Sequence, residues 1–203
     1  MDIVSRFNKA ARLVPTWTIY LAGFVWSAWL LWQATTGGLG PDPVKGLERS
    51  LGELGLQLLV LGLAITPLRT YAGLNLIRFR RALGLTAFYY IALHFLTWLV
   101  LDMGLLMSQA LGDIIKRPYV TIGMAGLVLL IPLAATSNNR MVRRLGAARW
   151  QKLHRLTYAA VLLGSVHYIW LVKAWPLEPF LYLGAILVLL ASRALPQQRR
   201  VAA

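Results

Sequence analysis

Apolar residues fall along this chain in six long blocks, each bounded by charge, proline or glycine. The blocks cover about 16–34, 51–68, 82–101, 119–135, 153–172 and 179–192. A bilayer core takes about 20 apolar residues in helical form, and a helix satisfies its own backbone polar groups in lipid. The pattern therefore predicts an all-α, six-span transmembrane helix bundle that forms one domain over residues 1–203. The sixth block is the shortest. Its roughly 14 residues rise only about 21 Å, so Arg193 is expected to snorkel towards the interface.

Composition agrees with the pattern, since 58% of residues are hydrophobic and the mean hydropathy is +0.61. Charge then orients the bundle. The segments bearing Arg6, Lys9 and Arg12, then Arg69 to Arg81, then Arg140 to Arg155, then Arg193 to Arg200 hold sixteen basic residues against one acid, Asp2. The alternate segments hold five basic residues, Lys45, Arg49, Lys116, Arg117 and Lys173, against six acids. An even number of spans with both termini cytoplasmic puts the basic segments inside, as the positive-inside rule requires. The formal net charge of +14 thus needs no nucleic-acid partner, and a run such as "RFRRALG" reads as an orientation signal in contact with membrane lipid headgroups.

The chain has no cysteine, which excludes disulfides, thiolate metal sites and iron–sulfur ligation. The first block, "WTIYLAGFVWSAWLLW", lacks a small-residue cleavage motif and is expected to remain as a span. No internal repeat or low-complexity tract is apparent. The longest loops, 35–50 and 102–118, fall on the outer side and are too short for a catalytic domain, which places any large catalytic machinery on a partner.

Chemistry concentrates in three histidines. His154 and His167 share the fifth block, "WQKLHRLTYAAVLLGSVHYIWLVK", and His94 lies in the third, "AFYYIALHFLTWLVLD". Ionisable residues inside a span are costly and normally face a partner in the bundle interior. His154 and His167 stand about 20 Å apart along a helix and about 140° apart around it, so they cannot ligate one iron. Counted from the basic ends, His94 lies about 20 Å deep, His167 about 18–23 Å and His154 about 3 Å. The depth match predicts that His94 and His167 clamp one haem iron in the outer half of the bilayer, with His154 marking a second level near the cytoplasmic surface. The competing reading is three packing histidines in a small transporter. A proton relay would want mid-depth carboxylates, whereas Glu53, Asp102 and Glu178 sit near outer span ends.

The ordered segments "TPLRT", "RFRRALG", "FYYIALHF", "RPYVTIG", "ATSN", "RRLG", "RWQKLHRLTY" and "VHYIW" resemble the MsrQ family, the haem-binding membrane subunits of bacterial periplasmic methionine-sulfoxide reductase systems, within the ferric reductase-like transmembrane superfamily. The resemblance runs from about Leu58 to Lys173. It implies a bacterial inner-membrane electron conduit that carries haem b on His94, His167 and His154. It also implies electron delivery from the quinone pool or a cytoplasmic flavin reductant to a periplasmic molybdopterin-containing methionine-sulfoxide reductase, and bound FMN, for which no residues are identified. Superfamily oxidases carry two histidines on each haem helix, but stepping 13 or 14 residues from His94 reaches Arg80, Arg81, Met107 or Ser108. A second haem at His154 would therefore need another ligand, and one haem is the minimum. A quinone-linked membrane cytochrome with a different partner is the alternative within the same chemistry.

Lesser features take structural readings. Gly52, Gly55 and Gly62, with Gly123 and Gly126, suit close helix packing or the approach of a macrocycle. Trp170, Trp175 and Tyr119 suit the interfacial belt, Pro132 a kink, and Arg78, Arg80 and Arg81 either topology or contact with haem propionates at the inner level.

Overall fold

The computed structural model describes residues 3–172 and 176–194, so Asp2, Lys173, Trp175, Arg199 and Arg200 lie outside the described residues. Ten α-helices follow one another among those residues, with no strand: α1 (Ile3–Leu13), α2 (Trp17–Thr36), α3 (Pro43–Ala72), α4 (Arg80–Leu96), α5 (Met107–Lys116), α6 (Pro118–Ala135), α7 (Asn139–Leu145), α8 (Ala147–His154), α9 (Leu156–Leu171) and α10 (Leu177–Ala194). Each of the six apolar blocks is mainly helical, the fifth interrupted at Arg155 between α8 and α9. Among the described residues three stretches are long and apolar enough to cross a membrane, namely Pro43–Ala72, Ile77–Asp102 and Pro118–Ala135; α1 and α2, bent by 73°, make a fourth if taken as one span.

Local signals explain the boundaries. Asp42 caps α3, accepting from the Lys45 amide at 3.1 Å, and Pro43 supplies the first-turn φ that a helix needs. Pro118 opens α6 in the same way. Gly37 and Gly73 close α2 and α3 with positive φ, where a side chain would be strained. After α4 the backbone widens into a π-helical turn, Thr97–Asp102, and reverses at Gly104 and Leu105, both with positive φ. The segment expected as the outer loop 102–118 therefore carries α5, and α3 starts eight residues before the expected block.

Packing is densest between α3 and α4 and between α6 and α9. Leu56, Leu59 and Leu63 of α3, Ala87 of α4, Leu130 and Leu133 of α6, Ala160 and Val161 of α9, and Ile186 of α10 form the central core. Small residues let the backbones approach. A Cβ on Gly23 would sit 2.6 Å from Thr86 Cγ2, and one on Gly55 would sit 2.5 Å from Ile91 Cγ1. Beside Gly23, the Tyr90 hydroxyl donates to the Gly23 carbonyl at 2.8 Å, fastening α2 to α4. The outward surface is apolar, including Phe24, Trp26, Val128, Ile131, Leu187 and Val188, each more than half or about half exposed.

The basic segments meet at one end of the bundle. Arg78 donates to the Arg12 carbonyl, Arg81 to Asn139 Oδ1 at 2.7 Å, and the Tyr71 hydroxyl to the Ser192 carbonyl at 2.9 Å. Arg193 does not snorkel. Its guanidinium turns between helices and donates to the Tyr158 hydroxyl at 2.8 Å and to the Leu63 carbonyl.

Candidate functional site

The deep histidines of α4 and α9 face each other, with ring centres 6.2 Å apart and planes at 74°. Each ring is held from behind in the same way. His94 Nδ1 lies 2.8 Å from the Glu48 carbonyl on α3, and His167 Nδ1 lies 2.7 Å from the Tyr119 carbonyl on α6. A carbonyl only accepts, so Nδ1 is the donor in both rings and the Nε2 lone pair of each neutral imidazole stays available. A backbone carbonyl on the remote nitrogen is the usual way to orient a ligating imidazole.

The carbonyls are reachable because a glycine stands one turn further on. Gly52 follows Glu48 by four residues, and Gly123 follows Tyr119 by four. A Cβ on Gly52 would lie 3.0 Å from His94 Nδ1, and a Cβ on Gly123 would lie 2.9 Å from His167 Nδ1 and 3.0 Å from its Cε1. The helix pairs α3–α4 and α6–α9 thus build one device twice: carbonyl, glycine and imidazole in a local pseudo-symmetric arrangement. So few positions carry it that no repeat is apparent in the sequence.

Between the rings opens a cavity of about 800 Å³, within the roughly 300–1,000 Å³ typical of cofactor sites. Its floor is apolar, with Leu56, Leu59, Ile91, Leu127, Leu130 and Ala160, and its outer part carries Phe95, Trp98 and Trp170. Its mouth is charged, with Lys45, Arg49 and Arg117 beside Glu48, Glu53 and Asp102. Lys45 pairs loosely with Asp102 at 3.8 Å, while Arg117 pairs with Asp113 at 3.2 Å. Glu53 accepts from the Tyr168 hydroxyl at 2.6 Å on the cavity wall. One expectation changes here. Carboxylates share the cavity with the histidine pair, because α3 begins early enough to carry Glu48 and Glu53 alongside it. Among the described residues Lys45, Arg49 and Arg117 are the cations of this cavity; Arg78, Arg80 and Arg81, read as an inner-level group, stand apart from it.

His154 is not brought to the pair. It ends α8, stacks on Trp150 with ring centres 3.8 Å apart, and places Nε2 3.1 Å from Thr136 Oγ1. The Thr136 hydroxyl donates to the Pro132 carbonyl at 2.7 Å, which leaves His154 Nε2 as the donor, while Trp150 Nε1 donates to the Thr136 carbonyl at 2.9 Å. The imidazole is half-buried and ties α8 to the end of α6.

The donor set fits one kind of iron site. Among the described residues no cluster of three or more His, Asp or Glu could hold a bare metal ion, but two opposed imidazoles match the axial positions of a macrocycle-bound iron. With Fe–N bonds of about 2 Å and about 1 Å more to each ring centre, such a unit spans about 6 Å, the separation found here.

The chain matches the family described as ferric reductase like transmembrane component over residues 51–165. It is also similar to proteins of Brucella anthropi, Brucella ovis and Brucella canis, each described as protein-methionine-sulfoxide reductase heme-binding subunit MsrQ. Each is 49% identical over 177 residues, covering 87% of this chain and 80% of the relative.

Proposed function

Because the chain belongs to the MsrQ family of haem-binding subunits of protein-methionine-sulfoxide reductases, among the ferric reductase-like transmembrane proteins, we propose that it conducts electrons through a b-type haem held by His94 and His167. Bound haem supplies a one-electron carrier; the residues of this chain do the rest. His94 and His167 would hold the iron through their free Nε2 atoms, their Nδ1 protons fixed on the Glu48 and Tyr119 carbonyls. Gly52 and Gly123 leave room for the rings. The leucine floor keeps water from the inner edge, and Lys45, Arg49 and Arg117 offer positive charge to propionates at the mouth. The observation that carries this reading is the pair of backbone-anchored imidazoles facing each other at 6.2 Å across the cavity. One haem satisfies it. His154, with Nε2 engaged by Thr136, has only Nδ1 to offer a second, and FMN is assigned no residues.

The donor in this proposal is the quinone pool or a cytoplasmic flavin reductant, and the acceptor is a periplasmic molybdopterin-containing methionine-sulfoxide reductase that repairs oxidised proteins. The chain is one six-span domain of the bacterial inner membrane with both termini inside. The charged mouth then opens to the periplasm. Reporter fusions at Gly112 and at Gly146 are expected to give opposite compartment signals, and equal signals would remove this topology. For the function, the dithionite-reduced protein in detergent is expected to be reoxidised only when both the reductase and a methionine sulfoxide are present. Reoxidation with no quinone added that is indifferent to reductase and substrate would overturn the assignment of the partner.

A further inference from the structure

The α1 helix presents three distinct faces. Val4, Asn8 and Ala11, spaced i, i+4 and i+7, turn inward. Asn8 Nδ2 donates to the Gly73 carbonyl at 3.0 Å, the Asn75 amide donates to Asn8 Oδ1 at 2.8 Å, and Ala11 is buried. This face, with the Arg78 contact to the Arg12 carbonyl, locks α1 onto the turn between α3 and α4. A second face bears Ile3, Phe7 and Ala10, all exposed, with Ile3 at 83%, and exposed Val14 follows just past the helix end. The third bears Arg6, Lys9 and Arg12, with no acidic residue in the helix.

A helix so divided, lying at 73° to α2, would sit nearly parallel to a membrane surface that α2 enters. Its apolar stripe then reaches the acyl boundary and its cations reach the headgroup level. We propose that α1 is a binding surface for the anionic phospholipid headgroups of the leaflet on the basic side; this rests on the reading that α2 crosses the membrane, which the reporter fusions test separately. Charge selects the occupant. Three cations with no acidic residue in the described helix favour an anionic surface, while the apolar stripe runs on through exposed Val14 towards Trp17 at the start of α2, which suits lipid continuous with that around the span. The contrast with α5 is instructive. That helix also exposes an apolar stripe, Met107, Leu111 and Ile115, but its charges are mixed, so nothing selects an anionic surface there.

The chain has no cysteine, so Ala10→Cys gives a single labelling site on the apolar stripe. The full-length haem-loaded protein, labelled there with bimane, is placed in nanodiscs of phosphatidylcholine alone or with phosphatidylglycerol. Acrylamide quenching, which is insensitive to surface charge, is then measured at low and high salt. The expected result is quenching several-fold weaker in the anionic discs and restored by salt, since each cation at such a surface contributes about fivefold in affinity. The added substitutions Arg6→Gln, Lys9→Gln and Arg12→Gln are expected to erase the dependence on lipid charge with the haem spectrum unchanged. Equal protection in both lipids would reduce α1 to apolar insertion and overturn the headgroup proposal. Full accessibility in both would overturn it too. Loss of the haem proposal would leave these lipid readings intact.

Discussion

Replacing His94 or His167 with alanine is expected to abolish the low-spin haem spectrum of the purified protein, whereas His154→Ala leaves it in place. Each of the first two substitutions removes one of two axial ligands, so any haem retained becomes high-spin and the haem-to-protein ratio drops at least about tenfold, the lower end of what even an outer-shell loss does to metal affinity. His154 lies outside the cavity, stacked on Trp150 and engaged with Thr136, so its removal costs packing at the α6–α8 junction and not the clamp. Spectra and haem content of the three variants check this directly. A His154→Ala protein that had lost all low-spin haem beside a His167→Ala protein that kept it would reverse the assignment.

The second large effect is expected at glycine. Gly123→Ala would place a methyl 2.9 Å from His167 Nδ1, 3.0 Å from Cε1 and 3.2 Å from Cγ. The imidazole must then retreat from the Tyr119 carbonyl or carry its iron bond off axis. At Gly52 the same methyl meets His94 at 3.0, 3.3 and 3.5 Å, so the displacement is smaller. Loss of such an orienting contact commonly lowers metal affinity by about 10–100-fold; Gly123→Ala should fall nearer the upper figure and Gly52→Ala nearer the lower. Two other glycines serve as controls. A Cβ on Gly62 or on Gly84 meets nothing within 4 Å, and neither lines the cavity, so alanine there should keep haem content and gain up to about 1 kcal/mol of helix propensity. Equal haem loss at all four positions would mean general packing and not the seating of imidazoles.

How far the site could be read before the structure follows from what each signal encodes. Block hydropathy and the division of charge carry the helices and the gathering of basic segments at one end, because both are summed over many residues. Depth counting puts His94 and His167 at one level, since rise per residue is fixed in a helix, and they lie 6.2 Å apart. The misses are local. The early start of α3 was written in Asp42 and Pro43, a cap and a first-turn proline, but the hydropathy window begins only at Leu51; that is why Glu48 and Glu53 were placed away from the histidines. Both amphipathic helices, α1 and α5, are short and carry too little total hydropathy to register as blocks. Arg193 looked like a snorkelling end residue, yet its partners, Tyr158 and the Leu63 carbonyl, are 35 and 130 residues away in the chain and are invisible to any local pattern. The glycine seats lie between these cases. Gly52 and Gly123 were visible as small residues, but their pairing with the carbonyls of Glu48 and Tyr119 appears only once the histidines are packed against them.

The central claim is that one iron sits between His94 and His167, and anomalous diffraction at the iron edge from crystals of the haem-loaded protein tests it most directly. The account predicts a peak on the line between the two rings, about 2 Å from each Nε2, inside the cavity walled by Leu127, Ile91 and Gly164. Iron found beside His154 with no peak between His94 and His167 would contradict it.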